Sequence, residues 1–217
     1  MEDKKQFILT NVCKLYLKYG IRSITMDDIA LEFGISKKTL YQYFNDKEDL
    51  VGQVFDFYMN NPIFGFIAPE TGNAIDRILA IKDHVTVILK NFNNNFEFEL
   101  KKLYPQLFTK WHDFKVKKIY EDTFKNLEDG KSERLFRPEI DSDFVARLQV
   151  GRMLLTLNAE SGIFSEQEIT SIDLYEKVID YHMHAICSPE GIRYYKEKSK
   201  QNSEQSSKQN TENKDIL

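Results

Sequence analysis

The sequence of 217 residues has only two cysteines, Cys13 and Cys187, which are far apart along the chain. Two such distant cysteines do not support a disulfide framework, so we expect two buried, reduced thiols. A redox sensor is the alternative, but neither cysteine lies in a CxxC pattern or in clearly basic surroundings that would lower its pKa. The structural interpretation of both residues is therefore preferred.

Glycine and proline are also scarce, with nine and five residues, which is typical of a mostly helical protein. Long apolar runs are missing because charged residues interrupt each one within a few positions. The first residues, Met-Glu-Asp-Lys-Lys, include no continuous apolar core of the signal-peptide type. We therefore expect no membrane-spanning segment and a cytoplasmic location. A hydrophobic content of 41% with 29% charged residues indicates a soluble globular protein of one or two domains.

The sequence lacks the local patterns of common catalytic and metal sites. It has no glycine-rich phosphate loop, no nucleophile elbow and no evident pair of catalytic carboxylates. His182 and His184 are two positions apart on a predicted helix, so they do not share a helix face as a metal pair would. We accordingly predict no cofactor, no metal and no enzymatic activity.

Basic residues are not in excess either, since the net charge is −4. Residues 1–50 carry eight basic and eight acidic side chains, and most of the acids stand at predicted helix starts, where they complement the helix dipole. Lys37, Lys38 and Lys47, in contrast, cluster around one short predicted helix. This distribution favours salt-dependent but selective binding of an anionic partner.

The segment 25–44 has the pattern of two short helices joined by a tight turn. Thr25 is a predicted N-cap, followed by two acids in the first helical turn. Gly34 stands where a helix usually ends in a left-handed residue, and Ser36 is a second predicted N-cap. A stop and a restart of helix within about three residues are typical of the helix-turn-helix motif.

This segment and its surroundings closely resemble the N-terminal DNA-binding domain of TetR-family transcriptional regulators, over about residues 5–55. The resemblance is carried by a dozen positions, namely Gly20, Thr25, Ile29, Ala30, Gly34, Ser36, Leu40, Tyr41, Tyr43, Phe44, Lys47 and Leu50. It implies a double-stranded DNA operator as partner. Lys38 and Gln42 depart from the residues that the family commonly has there, so the operator sequence does not follow from any relative.

The chemistry of each position suggests its role in DNA binding. Side chains early in the second motif helix approach base edges in the major groove, where glutamine suits adenine, lysine suits guanine and a threonine methyl suits thymine. Hydroxyls, amines and helix N-termini suit phosphates. The predicted DNA-binding residues are Thr25, Ser36, Lys37, Lys38, Thr39, Tyr41, Gln42, Tyr43 and Lys47. The alternative is that Thr25 and Ser36 only cap helices and that Tyr41 packs against the core.

After a fourth helix, Lys47 to about Asn60, and a linker from Asn61 to Gly72, apolar positions recur at helical spacing. They predict helices at about 73–94, 97–103, 105–129, 141–160 and 171–187. The polar tail from about residue 196 has almost nothing to bury and is expected to be disordered or frayed. We therefore predict an all-α fold with three parts: residues 1–60 for DNA binding, 61–195 for ligand binding and dimerisation, and 196–217 as the tail.

The resemblance further implies that the C-terminal helices enclose a small-molecule effector and form a dimer. Aromatic residues make up 13% of the chain and are frequent in these helices, although such a stripe is more often ordinary core. The candidate ligand-binding residues are His84, Phe92, Phe108, Trp111, His112 and Met153. The candidate dimer residues are Phe144, Leu148, Gly151, Leu155, Tyr175 and Ile179, unless those helices are buried within their own subunit.

Together these features predict a homodimeric regulator that binds a palindromic operator, represses transcription and releases DNA when an effector binds. The alternative from another class is a helical module that binds a ligand or a partner and no longer binds DNA specifically. A helical-bundle enzyme is a more distant alternative, because no catalytic constellation is present.

Overall fold

The computed structural model describes residues 2–60, 71–91, 95–156, 158 and 161–212, and these residues form helices without any strand. The predicted all-α class is confirmed. In chain order the helices are α1 (Glu2–Tyr19), α2 (Met26–Glu32), α3 (Lys37–Leu40), α4 (Lys47–Asn60), α5 (Ala74–Asn91), α6 (Asn95–Leu103), α7 (Pro105–Ser132), α8 (Ser142–Thr156), α9 (Glu166–Ile169), α10 (Ile172–Ile186) and α11 (Pro189–Glu212). Phe92 and most of the predicted linker lie outside the described residues.

The chain divides into two compact units. The first contains residues 1–67 and 86–118, and the second contains residues 68–85 and 119–217. Helices α5 and α7 each have some residues in the first unit and some in the second. The boundary that we predicted near residue 60 between a DNA-binding part and a regulatory part stays a prediction.

Helices α1 to α4 of the first unit enclose an apolar core, to which α6 and α7 add residues. Fully buried side chains from α1, α2, α3 and α4 meet there because each of these helices is apolar along one face. The largest on these helices are Ile8, Tyr16, Ile29, Leu40, Leu50 and Phe55, and the segments between the helices add Ile21 and Phe44. Leu100 of α6 and Trp111 of α7 belong to the same core. This core fixes the positions of the two motif helices.

The predicted long helices are present with small shifts of their ends. Helix α4 has the predicted range, and Asp46 caps it by accepting a hydrogen bond from the backbone N–H of Asp49 at 2.8 Å. Helix α8 extends to Thr156, and most of the remainder of its predicted range, to residue 160, lies outside the described residues. Helix α7 continues to Ser132, beyond the predicted end at 129. Helices α9 and α11 were not predicted as separate elements.

The described part of the predicted disordered or frayed tail, residues 196–212, is helical, and residues 213–217 lie outside the described residues. Helix α11 begins at Pro189, a favoured residue for a first helical position, and continues to Glu212. No proline or glycine follows Gly191 to interrupt the helix. Composition alone suggested disorder because polar residues dominate this stretch, but polar residues such as Lys, Glu and Gln also propagate a helix well.

Both cysteines are buried and unpaired, as predicted. Burial raises the pKa of the Cys13 thiol and of the Cys187 thiol to about 12. Neither thiol is therefore ionised near neutral pH, which makes both poor nucleophiles. Among the described residues, no helix combines the length and the apolar character needed to cross a bilayer.

His182 on α10 is buried in the second unit, and this predicts a pH-dependent stability. Burial, with a smaller contribution from the nearby positive charge of Arg152, lowers the pKa of His182 to about 3. In the unfolded chain this imidazole has a pKa of about 6.5. Between pH 6.5 and pH 3 the unfolded state therefore binds a proton that the folded state excludes, and the free energy of unfolding decreases as the pH falls.

We expect the titration of His182 to lower the free energy of unfolding by about 2 kcal/mol between pH 7 and pH 5. Urea unfolding at both pH values measures it, and His182→Gln is the comparison because glutamine does not titrate. The variant should lose less stability on acidification than the wild type. An equal loss in both proteins would show that other groups cause the pH dependence.

Candidate nucleic-acid interface

Helix α2 starts with a complete capping box. The Thr25 side chain accepts a hydrogen bond from the backbone N–H of Asp28 at 3.2 Å, and Asp28 Oδ2 accepts from the Thr25 backbone N–H at 2.8 Å. The Thr25 hydroxyl also donates to Asp28 Oδ2 at 2.6 Å. These hydrogen bonds hold the pKa of Asp28 below its usual range. The capping role predicted for Thr25 is confirmed, and its contact with a phosphate stays a prediction.

The turn between the motif helices has the predicted geometry. Gly34 has a φ of 60°, in the left-handed region that glycine adopts most easily. The backbone N–H of Ile35 donates to the carbonyl of Ala30 at 3.0 Å, which closes the end of α2. The Ile35 side chain packs against the core of the first unit. The chain is therefore reversed within a few residues, and α3 begins directly afterwards.

Helix α3 is capped by Ser36, whose Oγ accepts from the backbone N–H of Thr39 at 3.0 Å. The helix contains only four residues, and the chain continues as a hydrogen-bonded turn in which the N–H of Tyr43 donates to the Leu40 carbonyl at 3.0 Å. Gln42 therefore lies in this turn, beyond the last residue of α3, whereas we predicted it at or near the first half of the second motif helix. Its side chain is exposed.

Three lysines in or next to the motif have different surroundings. Lys37 is exposed and forms an ion pair with Asp27 at 2.5 Å, a contact that sequence reasoning missed. Because both partners are largely exposed, this pair contributes little to stability and can be exchanged for a phosphate. Lys38 is exposed. Lys47 is half-buried, and burial lowers the pKa of its amine, while the charges of Glu99 and Asp28 act in the opposite direction.

From Thr39 to Tyr43, one threonine and two tyrosines differ in their exposure to solvent. Tyr41 follows α3 and is 49% exposed, so half of its surface is accessible to a partner. Tyr43 is half-buried against the core, with its ring 6.3 Å from that of Phe44. Thr39 is half-buried as well, and its hydroxyl is 2.8 Å from the Ser36 hydroxyl. The nine predicted DNA-binding residues thus lie along one stretch of the first unit.

The candidate ligand-binding residues are divided between the two units. His84 and Met153 belong to the second unit, and Phe108, Trp111 and His112 belong to the first. Trp111 is buried in the core of the first unit, where its ring makes edge contacts with the rings of Phe55 and Tyr58. For Trp111 the alternative of ordinary core is therefore confirmed, and His112 is exposed. His84 is half-buried, and its Nε2 has no hydrogen-bond partner among the described residues.

The candidate dimer residues fall into two groups. Phe144, Leu148 and Leu155 on α8 are exposed, and a Cβ added to Gly151 would meet nothing within 4 Å. These four positions recur at intervals of four, three and four residues, which places them on one helix face. Tyr175 and Ile179 are instead buried inside the second unit. The prediction for these two is wrong, because the apolar face of α10 packs within its own subunit and leaves Tyr181 exposed.

A family model described as bacterial regulatory proteins of the tetR family matches residues 8–54. This range contains α2, the Gly34 turn, α3 and most of α1 and α4. It also contains all nine predicted DNA-binding residues. The model therefore covers the candidate interface and not the C-terminal helices.

Several curated relatives are transcriptional regulators. An HTH-type transcriptional regulator of Staphylococcus aureus is 32% identical over 123 residues, which are 51% of this chain and 66% of the relative. The uncharacterized HTH-type regulator YuxN of Bacillus subtilis is 28% identical over 98 residues, which are 45% of this chain and 33% of YuxN. The chain thus spans about a third of YuxN and just under two thirds of the staphylococcal protein.

Solved structures with a similar fold cover more of the chain. A transcriptional regulator from Cytophaga hutchinsonii has a TM-score of 0.65 at 20% identity, covering 85% of this chain and 99% of its own. A regulator from Saccharomonospora viridis, solved in complex with choline, has a TM-score of 0.59 at 18% identity and covers 87% of this chain and 100% of its own. These similarities support the fold of both units.

Proposed function

Because the chain belongs to the TetR family of bacterial regulatory proteins, we propose that it is a DNA-binding transcriptional regulator and not an enzyme. The observation that carries this proposal is the pair of separately capped helices, α2 and α3, on either side of Gly34. Such a motif presents polar side chains and two helix N-termini to the same partner. On DNA, the side chains can bind base edges and the helix N-termini can bind phosphates.

In this proposal the exposed side chains of α3 and the following turn enter the major groove. Lys38 and Gln42 are exposed and long enough to reach base edges, and Thr39 offers a methyl group. Tyr43 and Lys47 lie closer to the core and are better placed to hold the sugar-phosphate backbone. The N-termini of α2 and α3 add backbone amides for phosphates.

Selection of bound duplexes from a random pool, followed by fluorescence anisotropy on the enriched sequence, tests the proposal. We expect enrichment of an inverted repeat and an affinity that falls as the salt concentration rises. Weak binding of all sequences without enrichment would contradict it. That outcome would favour the second candidate, a helical module for a ligand or a protein partner.

Substitutions in the motif should separate phosphate contacts from base contacts. Tyr43→Ala and Lys47→Ala should weaken binding to the operator and to unrelated DNA alike, and Lys47→Ala should make the dependence on log salt shallower by about 0.9. Gln42→Ala and Lys38→Ala should instead change sequence preference, at about 1–3 kcal/mol per lost base contact. Anisotropy with the operator, single-base variants and random duplex measures both. An equal loss on every duplex from all four substitutions would contradict this division.

We further propose that the regulator is a homodimer on a palindromic operator. One motif reaches only a few base pairs, whereas two motifs related by a two-fold axis contact half-sites about 34 Å apart. The exposed apolar face of α8, formed by Phe144, Leu148, Gly151 and Leu155, supports this proposal. Isolated apolar side chains are common on protein surfaces, but several on one helix face mark an interaction surface.

Repression and release by a small-molecule effector complete the proposal. The effector would bind the DNA-free state more tightly than the DNA-bound state, and operator affinity would fall by that difference. The Saccharomonospora viridis regulator, which has a similar fold, was solved with choline bound, and this supports a small-molecule ligand. Action on chromosomal operators would place the protein in the cytoplasm.

A further inference from the structure

Glu99 of α6 contacts the loop between α1 and α2. Its Oε2 accepts a hydrogen bond from the backbone N–H of Arg22 at 3.0 Å. The same carboxylate lies beside Gly20, because a Cβ added there would be 2.8 Å from Oε2 and 2.9 Å from Oε1. Gly20 has a φ of 83°, in the left-handed region that glycine adopts most easily, whereas the Glu99 carboxylate lies at the end of a flexible side chain and could shift away from a Cβ. Helix α6 can therefore approach this loop closely.

Lys47 holds the same loop residue from the opposite side of its backbone. Its Nζ donates to the carbonyl of Arg22 at 3.4 Å. The N–H of Arg22 is thus bound by α6 and its C=O by α4. The negative charges of Glu99 and Asp28 both act on the Lys47 amine. A phosphate approaching Lys47 therefore meets an amine that already interacts with protein carboxylates.

The position of Glu99 is determined by its neighbours on α6. Leu100 is fully buried in the core of the first unit. Glu97 accepts a hydrogen bond from Trp111 Nε1 at 3.1 Å and forms an ion pair with Lys115 Nζ at 2.8 Å. Both of these partners lie on α7, whose later part belongs to the second unit. A displacement of α6 against the core would thus move the Glu99 carboxylate.

We infer that Glu99 is a positioning residue for DNA binding, which holds the Arg22 peptide in place and competes with a DNA phosphate for Lys47. The inference rests on the proposed function, in which Lys47 contacts phosphate. Glu99 keeps the α1–α2 loop ordered and weakens the attraction between the Lys47 amine and a DNA phosphate. Helix α6 can therefore adjust operator affinity without touching DNA.

Glu99→Gln removes the charge but retains an oxygen that accepts from Arg22 N–H. We expect it to bind the enriched operator roughly threefold to tenfold more tightly at low salt, because the competing carboxylate is gone. The increase should disappear in a Lys47→Ala background if it acts through Lys47. Glu32→Gln, which removes an exposed acid from α2, is the matched control and should give a smaller increase that survives Lys47→Ala.

Glu99→Ala removes the hydrogen bond as well. We expect the amide hydrogen of Arg22 to exchange with solvent about tenfold faster in this variant, and at the wild-type rate in Glu99→Gln. Equal exchange in all three proteins, or an affinity gain from Glu99→Gln that persists without Lys47, would overturn the inference. Failure of the wild type to select any duplex would instead contradict the proposed function, and the exchange rates would still decide whether Glu99 holds the loop.

Discussion

In the proposed homodimer, Leu148→Glu is expected to separate the two subunits into monomers and to abolish tight binding to the proposed operator. Leu148 is 58% exposed and central on the apolar face of α8. A two-fold interface uses the same patch of both subunits, so one substitution introduces two carboxylates into it. A carboxylate without a partner in an apolar interface is strongly unfavourable. Because the monomer contacts only one half-site, operator affinity should fall at least about a hundredfold.

Analytical ultracentrifugation and anisotropy on the same samples measure this prediction. Ile163→Glu is the control, because Ile163 is an apolar residue with nearly equal exposure, 59%, in the same unit but outside α8. It should remain dimeric and retain operator affinity. A dimeric Leu148→Glu variant with normal binding would show that the subunits associate through another surface.

The helix-turn-helix could be predicted from sequence because its signals are local. The two N-caps, Thr25 and Ser36, bond to backbone atoms only three residues away, and the left-handed Gly34 follows from the end of a single helix. Such interactions depend on adjacent residues and leave a pattern in them. The length of α3 was less predictable, because the chain after Leu40 forms a turn with backbone hydrogen bonds between residues three positions apart.

The contacts that surround the motif could not be predicted in the same way. Glu99 and Arg22 are 77 residues apart, and nothing in either segment indicates the other. The burial of Tyr175 and Ile179 inside the second unit could not be predicted for a similar reason. An amphipathic helix shows which residues avoid water, but not whether its own subunit or another one covers them. The same ambiguity applies to Trp111, whose aromatic neighbours belong to the core of the first unit.

The start of α11 is attached closely to the segment that precedes α8. The backbone N–H of Ser188 donates to the Leu135 carbonyl at 2.9 Å, and the Ser188 hydroxyl donates to the Arg134 carbonyl at 2.8 Å. A third hydrogen bond joins the N–H of Arg137 to the Ile186 carbonyl at 2.9 Å. A Cβ at Gly191 would lie only 2.0 Å from the Leu135 carbonyl oxygen. The close approach therefore requires glycine, since a backbone carbonyl cannot rotate away as a side chain does.

Gly191→Ala should consequently lower the free energy of unfolding by about 3 kcal/mol, the upper end of the usual cost of overpacking. Gly52→Ala on α4 is the matched control, because its Cβ would meet nothing within 4 Å and alanine favours a helix by about 0.5–1 kcal/mol. Urea unfolding measures both. Helix α10 ends next to this contact. At urea concentrations near the unfolding midpoint of Gly191→Ala, the variant should therefore also bind the operator more weakly, although its motif is unchanged. Equal stability of the two variants would contradict the close contact at Leu135.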